Sequence, residues 1–153
     1  MPSSEDITVS TIISVVPLPN LNFVVWFNGG VTKIYRADTF DITDVVTHNS
    51  VIVASEGKGL VWGDGTYVDI DRLIENGAPI DFVAEEKRRL LKDLGEIRRE
   101  ATFSQTRLGD AAGIRQSVIS RIEGCEISPQ INTLLKLLAP LGKTLKIVDL
   151  NES

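Results

Sequence analysis

The apolar pattern of the chain changes character once, near residue 80. Before that point the apolar residues are mostly β-branched or aromatic and come in short runs separated by Gly, Pro, Asn and Asp. This is the pattern of strands joined by turns. The first run, Ile7–Val16, is closed by Pro17 and Pro19. A second, Leu21–Phe27, runs into the turn Asn28-Gly29-Gly30 and returns as Val31–Arg36, which predicts a hairpin within a meander. Asp38–Val46 reads as a short helical turn or irregular segment, Val51–Ala54 as a short strand, and residues 56–59 as a loop. Leu60-Val61-Trp62 and Thr66–Ile70, joined by Gly63-Asp64-Gly65, form a second predicted hairpin. A short helix over Asp71–Glu75 then ends at Asn76-Gly77, and residues 1–6 read as a frayed polar end.

Pro79 cannot continue that helix and Asp81 can cap the next, so the boundary falls at Gly77-Ala78-Pro79. Beyond it, apolar residues recur at helical spacing. Phe82 to about Ala101 carries Leu90, Leu91, Leu94 and Ile97 on one face. Ser104 is placed as an N-cap for a helix opening at Gln105, with Leu108 and Ala112 facing inward. Gly109 lies where two helices approach closely. Gly113 occupies the reversal, which favours φ > 0, and Ile114 plugs the corner. A second helix buries Ile119 and Ile122 and leaves Arg115, Gln116, Ser117, Ser120 and Arg121 outside. Ser128-Pro129 opens a further helix with Ile131, Leu134, Leu135, Leu137 and Leu138, stopping at Pro140–Gly142. Thr144–Leu150 alternates as a strand does. A helical domain offers it no sheet, so it is expected to pair with a second copy.

The expected fold is therefore an α+β domain at residues 1–78, an antiparallel sheet with one or two short helices. It is followed at 79–153 by an all-α domain of four to five helices with a C-terminal β-strand.

Counted from Gln105, a small residue at position 5, Gly at 9 and apolar residues at 10, 15 and 18 give the spacing of a helix-turn-helix, whose second helix enters the major groove of DNA. Gln116 and Ser117 are the candidates for base contact, since Gln suits adenine and Ser bonds several base edges. Arg115 and Arg121 can reach guanine or phosphate, Ser120 shares their face, and Gln105 at a helix N-terminus is placed for a backbone phosphate.

The segment resembles the XRE, or Cro/C1-type, repressor family, with a consensus near SQxxLAxxxGvsxxxIsriExG. The matching residues are Ser104, Gln105, Leu108, Gly113, Ile114, Ile119, Ser120, Arg121, Ile122, Glu123 and Gly124. Gly109 departs from it, because the family usually has Ala there. The resemblance implies that Leu94–Glu100 supplies the first helix of the repressor fold. It also implies that Arg98 pairs with Glu123 to orient the reading helix, a supporting role rather than DNA contact. The ending LxPLGKTLKIVDL is similar to antitoxin-type repressors of the HipB and HigA kind, several of which dimerise through such a strand. Residues 8–78 resemble a small bacterial domain-of-unknown-function family on the residues Pro17 to Gly29 and on Leu60, Trp62, Gly65, Asp69, Asp71, Leu73 and Gly77. Its members occur alone, beside a small partner protein in suspected toxin–antitoxin pairs, or fused to a helix-turn-helix.

Charge sharpens the division. The net charge is -5, but residues 1–81 carry 4 Lys and Arg against 11 Asp and Glu, whereas residues 82–153 carry 12 against 10. DNA binding thus belongs to the second half. No apolar run is long enough to span a bilayer, no basic leader precedes a hydrophobic stretch, and the single Cys125 fits a reducing compartment, so a cytoplasmic location is expected.

Other chemistry finds little support. His48, the single histidine, is placed in a surface loop with no catalytic signature around it. Asp64 is read as a turn residue, Asp69 as solvent-facing and Asp71 as a helix cap rather than as cation ligands. Gly57-Lys58-Gly59 lacks the length of a phosphate loop, and Trp26 and Trp62 are read as core or partner-facing. No enzyme activity, metal or cofactor is expected. The expected function is sequence-specific regulation of transcription by a dimeric repressor on an inverted-repeat, double-stranded DNA operator, in the manner of an autoregulating antitoxin. The alternative is a protein-binding module whose acidic N-terminal domain masks a small basic partner such as a toxin, with DNA binding secondary.

Overall fold

A computed structural model of the protein describes residues 8–152. The predicted polar end at residues 1–6, and Ile7 at the start of the first predicted strand, lie outside the described residues. The chain divides into two compact units. One runs to Asp81 and takes the chain back at Val148, and the other is Phe82–Ile147.

In the first unit the strands are β1 (Ile12–Pro17), β2 (Asn22–Phe27) and β3 (Thr32–Arg36), an antiparallel meander in which Val24 lies opposite both Val16 and Ile34. The turn after β2 is fixed by Asn28. Its Oδ1 accepts from the Ser10 and Thr11 amides at 2.9 and 3.0 Å, and its Nδ2 donates to the Thr8 carbonyl at 2.9 Å. Helix α1 (Val45–Asn49) follows, capped by the Asp44 carboxylate, and then β4 (Ile52–Val53), β5 (Gly59–Val61), β6 (Tyr67–Asp69) and helix α2 (Ile70–Glu75). The strands form two sheets rather than one. β4, β5 and β6 make their own three-stranded sheet, while β7 (Ala78–Pro79) extends the meander in the order β1-β2-β3-β7. Ala78 and Pro79, expected to lie at the domain boundary, are thus an edge strand of the sheet. An edge accepts a proline that a central strand would reject.

Phe23, Tyr35, Phe40, Leu60, Trp62 and Leu73 fill the core between these elements. Phe23 stacks on Tyr35 at 5.2 Å and meets Trp62 edge-on at 5.7 Å. β3 also holds the end of α2: the Tyr35 hydroxyl donates to the Leu73 carbonyl, and Lys33 Nζ donates to the Ile74 carbonyl at 2.6 Å. Burial pushes the Tyr35 hydroxyl above its ordinary pKa. His48 is not a loop residue. It lies in α1, 1% exposed, with Nε2 3.0 Å from the Leu18 carbonyl, because the short helix turns this side chain into the aromatic core. Asp69, not Asp71, caps α2, accepting from the Asp71 amide at 2.8 Å. Asp64 accepts from the Thr66 amide within its turn at 2.9 Å. Among the described residues no group of three or more His, Cys, Asp or Glu side chains is placed to hold a metal ion.

The second unit comprises α3 (Phe82–Glu100), α4 (Gln105–Ala112), α5 (Gln116–Glu123) and α6 (Ile131–Leu138). Leu91 and Leu94 from α3, Leu108 from α4, Ile119 and Ile122 from α5, and Leu134, Leu137 and Leu138 from α6 form one buried cluster. The first turns of α3 are outside this core and carry the exposed pairs Glu85–Arg88 and Glu86–Arg89. Residues 142–149 form no ladder, and Leu150–Glu152 close in a single 3-10 turn. The sequence pattern of a strand is present over Thr144–Leu150, but a strand needs a partner edge, and the helical unit, to which residues 144–147 belong, has none. Among the described residues no helix is long and apolar enough to cross a membrane.

Candidate nucleic-acid interface

The interface is built on the corner between α4 and α5. Ser104 Oγ accepts from the Arg107 amide at 2.9 Å, satisfying one of the orphan donors at the start of α4. Gly113 ends the helix at φ 71 and donates its amide to the Gly109 carbonyl, the left-handed C-cap that glycine favours. The corner is tight. A Cβ at Gly109 would lie 2.4 Å from the Ile114 carbonyl oxygen, whereas one at Gly113 would meet nothing within 4 Å. Gly109 is therefore needed for space and Gly113 for its backbone conformation.

This corner aims α5. Ile119 and Ile122 are buried, and Arg115, Gln116, Ser117, Ser120 and Arg121 are all exposed. Among the described residues the side chains of Arg115, Ser117, Ser120 and Arg121 make no hydrogen bond or ion pair. The one acid on the helix, Glu123, is turned away from solvent toward α3.

There Glu123 meets Arg98. Arg98 Nε lies 2.9 and 3.0 Å from the two carboxylate oxygens and Nη2 2.9 Å from Oε1, while Nη1 donates to the Phe103 carbonyl at 2.8 Å. The two side chains are 10% and 9% exposed, so the pair ties α5 to α3 and to the loop before α4 in one desolvated contact. Gln105 joins it: Nε2 donates to Glu123 Oε2 at 3.2 Å, and Oε1 accepts from Gln116 Nε2 at 2.7 Å. The amide expected to reach a phosphate is thus engaged inside the protein, linking the ion pair to the exposed face of α5.

Sequence reasoning passed over two residues of this site. Gly95, buried in α3, would place a Cβ 3.1 Å from Glu123 Oε1, so its bare backbone makes room for the carboxylate. The only sign of it is a glycine inside a helix three residues before Arg98. Arg107 lies exposed on the first turn of α4 with its guanidinium 4.1 Å from the Phe103 ring centroid, a cation–π contact signalled only by an aromatic next to the N-cap.

Comparison with known proteins agrees with this geometry. Residues 94–148 match the family described as Helix-turn-helix. An uncharacterized HTH-type transcriptional regulator of Haemophilus influenzae is 51% identical over 61 residues, which is 40% of this chain and 62% of that protein. The HTH-type transcriptional regulator PuuR of Escherichia coli is 44% identical over 54 residues, 35% of this chain and 29% of that one. The chain thus spans less than two thirds of the length of these relatives. Among solved structures, a candidate DNA-binding protein of Nitrosomonas europaea aligns over 84% of both chains at 18% identity, with a TM-score of 0.36.

Proposed function

We propose, from the helix-turn-helix domain at residues 94–148, that this protein is a sequence-specific DNA-binding regulator of transcription that acts in the cytoplasm as a dimeric repressor. The observation that carries the reading is the exposed face of α5. Five polar or cationic side chains stand outward on a helix whose single acid is neutralised inside by Arg98. In this reading Gln116 and Ser117 contact base edges, and Arg115, Ser120 and Arg121 contact guanine or phosphate. Arg98, Glu123 and Gly113 hold the helix in place. A motif of this size makes few phosphate contacts, so useful affinity calls for two copies on an inverted repeat, with half-sites about one helical turn apart. Ile147, 98% exposed in a segment with the alternation of a strand, supports pairing between two copies there.

The test is titration of the full-length protein against its own upstream DNA and an unrelated duplex at several salt concentrations, beside a Gln116→Ala, Arg121→Ala double variant. Preference for the upstream DNA, lost in a folded variant, upholds the reading. Equally weak binding of every duplex by both proteins overturns it.

The acidic N-terminal unit supports a second role, neutralising a small basic protein in the manner of an antitoxin. Its exposed Ile13, Val45, Val46 and Ile52 add apolar contact area to the excess of carboxylates. Co-purification with the product of a small basic reading frame beside its own gene tests that role. Separate elution at low salt contradicts it.

A further inference from the structure

The hydrogen bonds behind α5 have a direction, and the direction is forced. A carboxylate only accepts. Glu123, already bonded to Arg98, therefore requires that Gln105 turn its NH2 group inward, where Nε2 lies 3.2 Å from Oε2. The Gln105 carbonyl is then left facing α5. A carbonyl also only accepts, so Gln116 must point its own Nε2 toward Gln105, 2.7 Å away. Each amide taken alone could be reversed, but in series each is fixed by the one behind it, and the first is fixed by a buried charge.

We propose, building on the reading of α5 as the recognition helix, that Glu123 is a specificity-positioning residue. Acting through Gln105, it sets which donor and acceptor Gln116 offers to DNA. With one N–H committed to Gln105, Gln116 keeps one carbonyl acceptor and one N–H donor. That pattern matches adenine, which presents a donor at N6 beside an acceptor at N7. Guanine presents two acceptors, N7 and O6. The locked amide can satisfy one of them and sets its own carbonyl against the other. Gly95 belongs to the same device, since its missing side chain leaves Glu123 room beside Arg98.

The test is selection of binding sites from a pool of random duplexes by the full-length protein and three variants, with affinities then measured on single-base variants of the selected site. Gln116→Ala locates the base pair that Gln116 reads. Gln105→Leu cuts the relay without touching the Arg98–Glu123 pair. Glu123→Gln lets the Gln105 amide reverse. At the located pair the wild type should favour adenine over guanine by roughly five- to 150-fold, the range of a good bidentate contact. Gln105→Leu should reduce that preference to below about threefold, with preferences at the other pairs unchanged, and Glu123→Gln should act in the same direction. A merely structural role predicts something else: affinity falls on every duplex while the adenine preference stays as in the wild type. That outcome in Gln105→Leu overturns the proposal and leaves the recognition helix standing. If the loss of charge beside Arg98 unfolds Glu123→Gln, Gln105→Leu alone decides. If the wild type enriches no sequence at all, both this proposal and the reading of α5 fall.

Discussion

Removing the guanidinium of Arg98 should be the most damaging polar substitution in the C-terminal unit. Arg98→Met keeps most of the side chain's length and apolar stem but strands two groups. Among the described residues the Glu123 carboxylate, 9% exposed, keeps only the Gln105 amide as a donor, and the Phe103 carbonyl loses the bond at 2.8 Å. Breaking a buried ion pair from one side costs about 3–5 kcal/mol, because the remaining charge is neither hydrated nor paired. A small domain has a total stability on the order of 0.05–0.15 kcal/mol per residue. The substitution should therefore consume much of what holds Phe82–Ile147 together. The double variant Arg98→Met, Glu123→Leu removes the orphaned charge as well and should cost less than Arg98→Met alone, giving a coupling of at least about 2 kcal/mol in a double-mutant cycle. Urea denaturation of the full-length protein, followed by circular dichroism at the helical signal, measures each corner of the cycle. A loss below about 1 kcal/mol in the single variant, the range of an exposed pair, would refute the reasoning.

Three further outcomes follow from the same geometry. Ser104→Ala removes the cap of α4 and should cost about 1 kcal/mol by denaturant midpoint. An unchanged midpoint would mean that the Arg107 amide finds another acceptor. Gly109→Val drives new methyl groups at the Ile114 carbonyl and toward Ile119 Cδ1, 3.4 Å from the added Cβ, and should cost about 1–3 kcal/mol despite removing a helical glycine. A stabilised variant would show that the corner is looser than this. In the N-terminal unit, the Thr47 amide bonded to Asp44 holds the Asp44 carboxyl below its ordinary pKa of 3.8. A folded-state pKa below the unfolded one means that the unfolded chain binds the proton more readily. The stabilisation is thus complete above pH 3.8 and lost as the pH falls through the folded-state value. Acid titration should show the gap between wild type and Asp44→Ala closing in that window. A gap independent of pH contradicts the cap.

The helix-turn-helix was legible because its signals are local. Ser104 and Gly113 mark the ends of α4, the Ile119 and Ile122 spacing sets the buried face of α5, and none of this depends on the rest of the chain. The N-terminal strands were legible as strands but not as two sheets. Short runs such as Val51–Ala54 carry no record of which edge they join, and that choice is made by contacts remote in sequence. Ala78–Pro79 was read as a break because proline ends helices, although the same residue is tolerated at a sheet edge. His48 was misplaced because a five-residue helix shows no period from which its buried side can be read. At the candidate interface, Gln105 and Glu123 are 18 residues apart, and their hydrogen bond exists only once the corner has folded.

The central claim is that the exposed face of α5 is the DNA-binding surface, and the most direct test is to map that surface in solution. Backbone amide resonances of the isotope-labelled full-length protein, followed while its upstream duplex is added, should shift most at residues 104–107 and 115–121. Residues 8–81 should stay unmoved apart from the general broadening of a larger complex. Shifts concentrated in residues 8–81, with the α4–α5 corner unmoved at saturating DNA, would contradict the account.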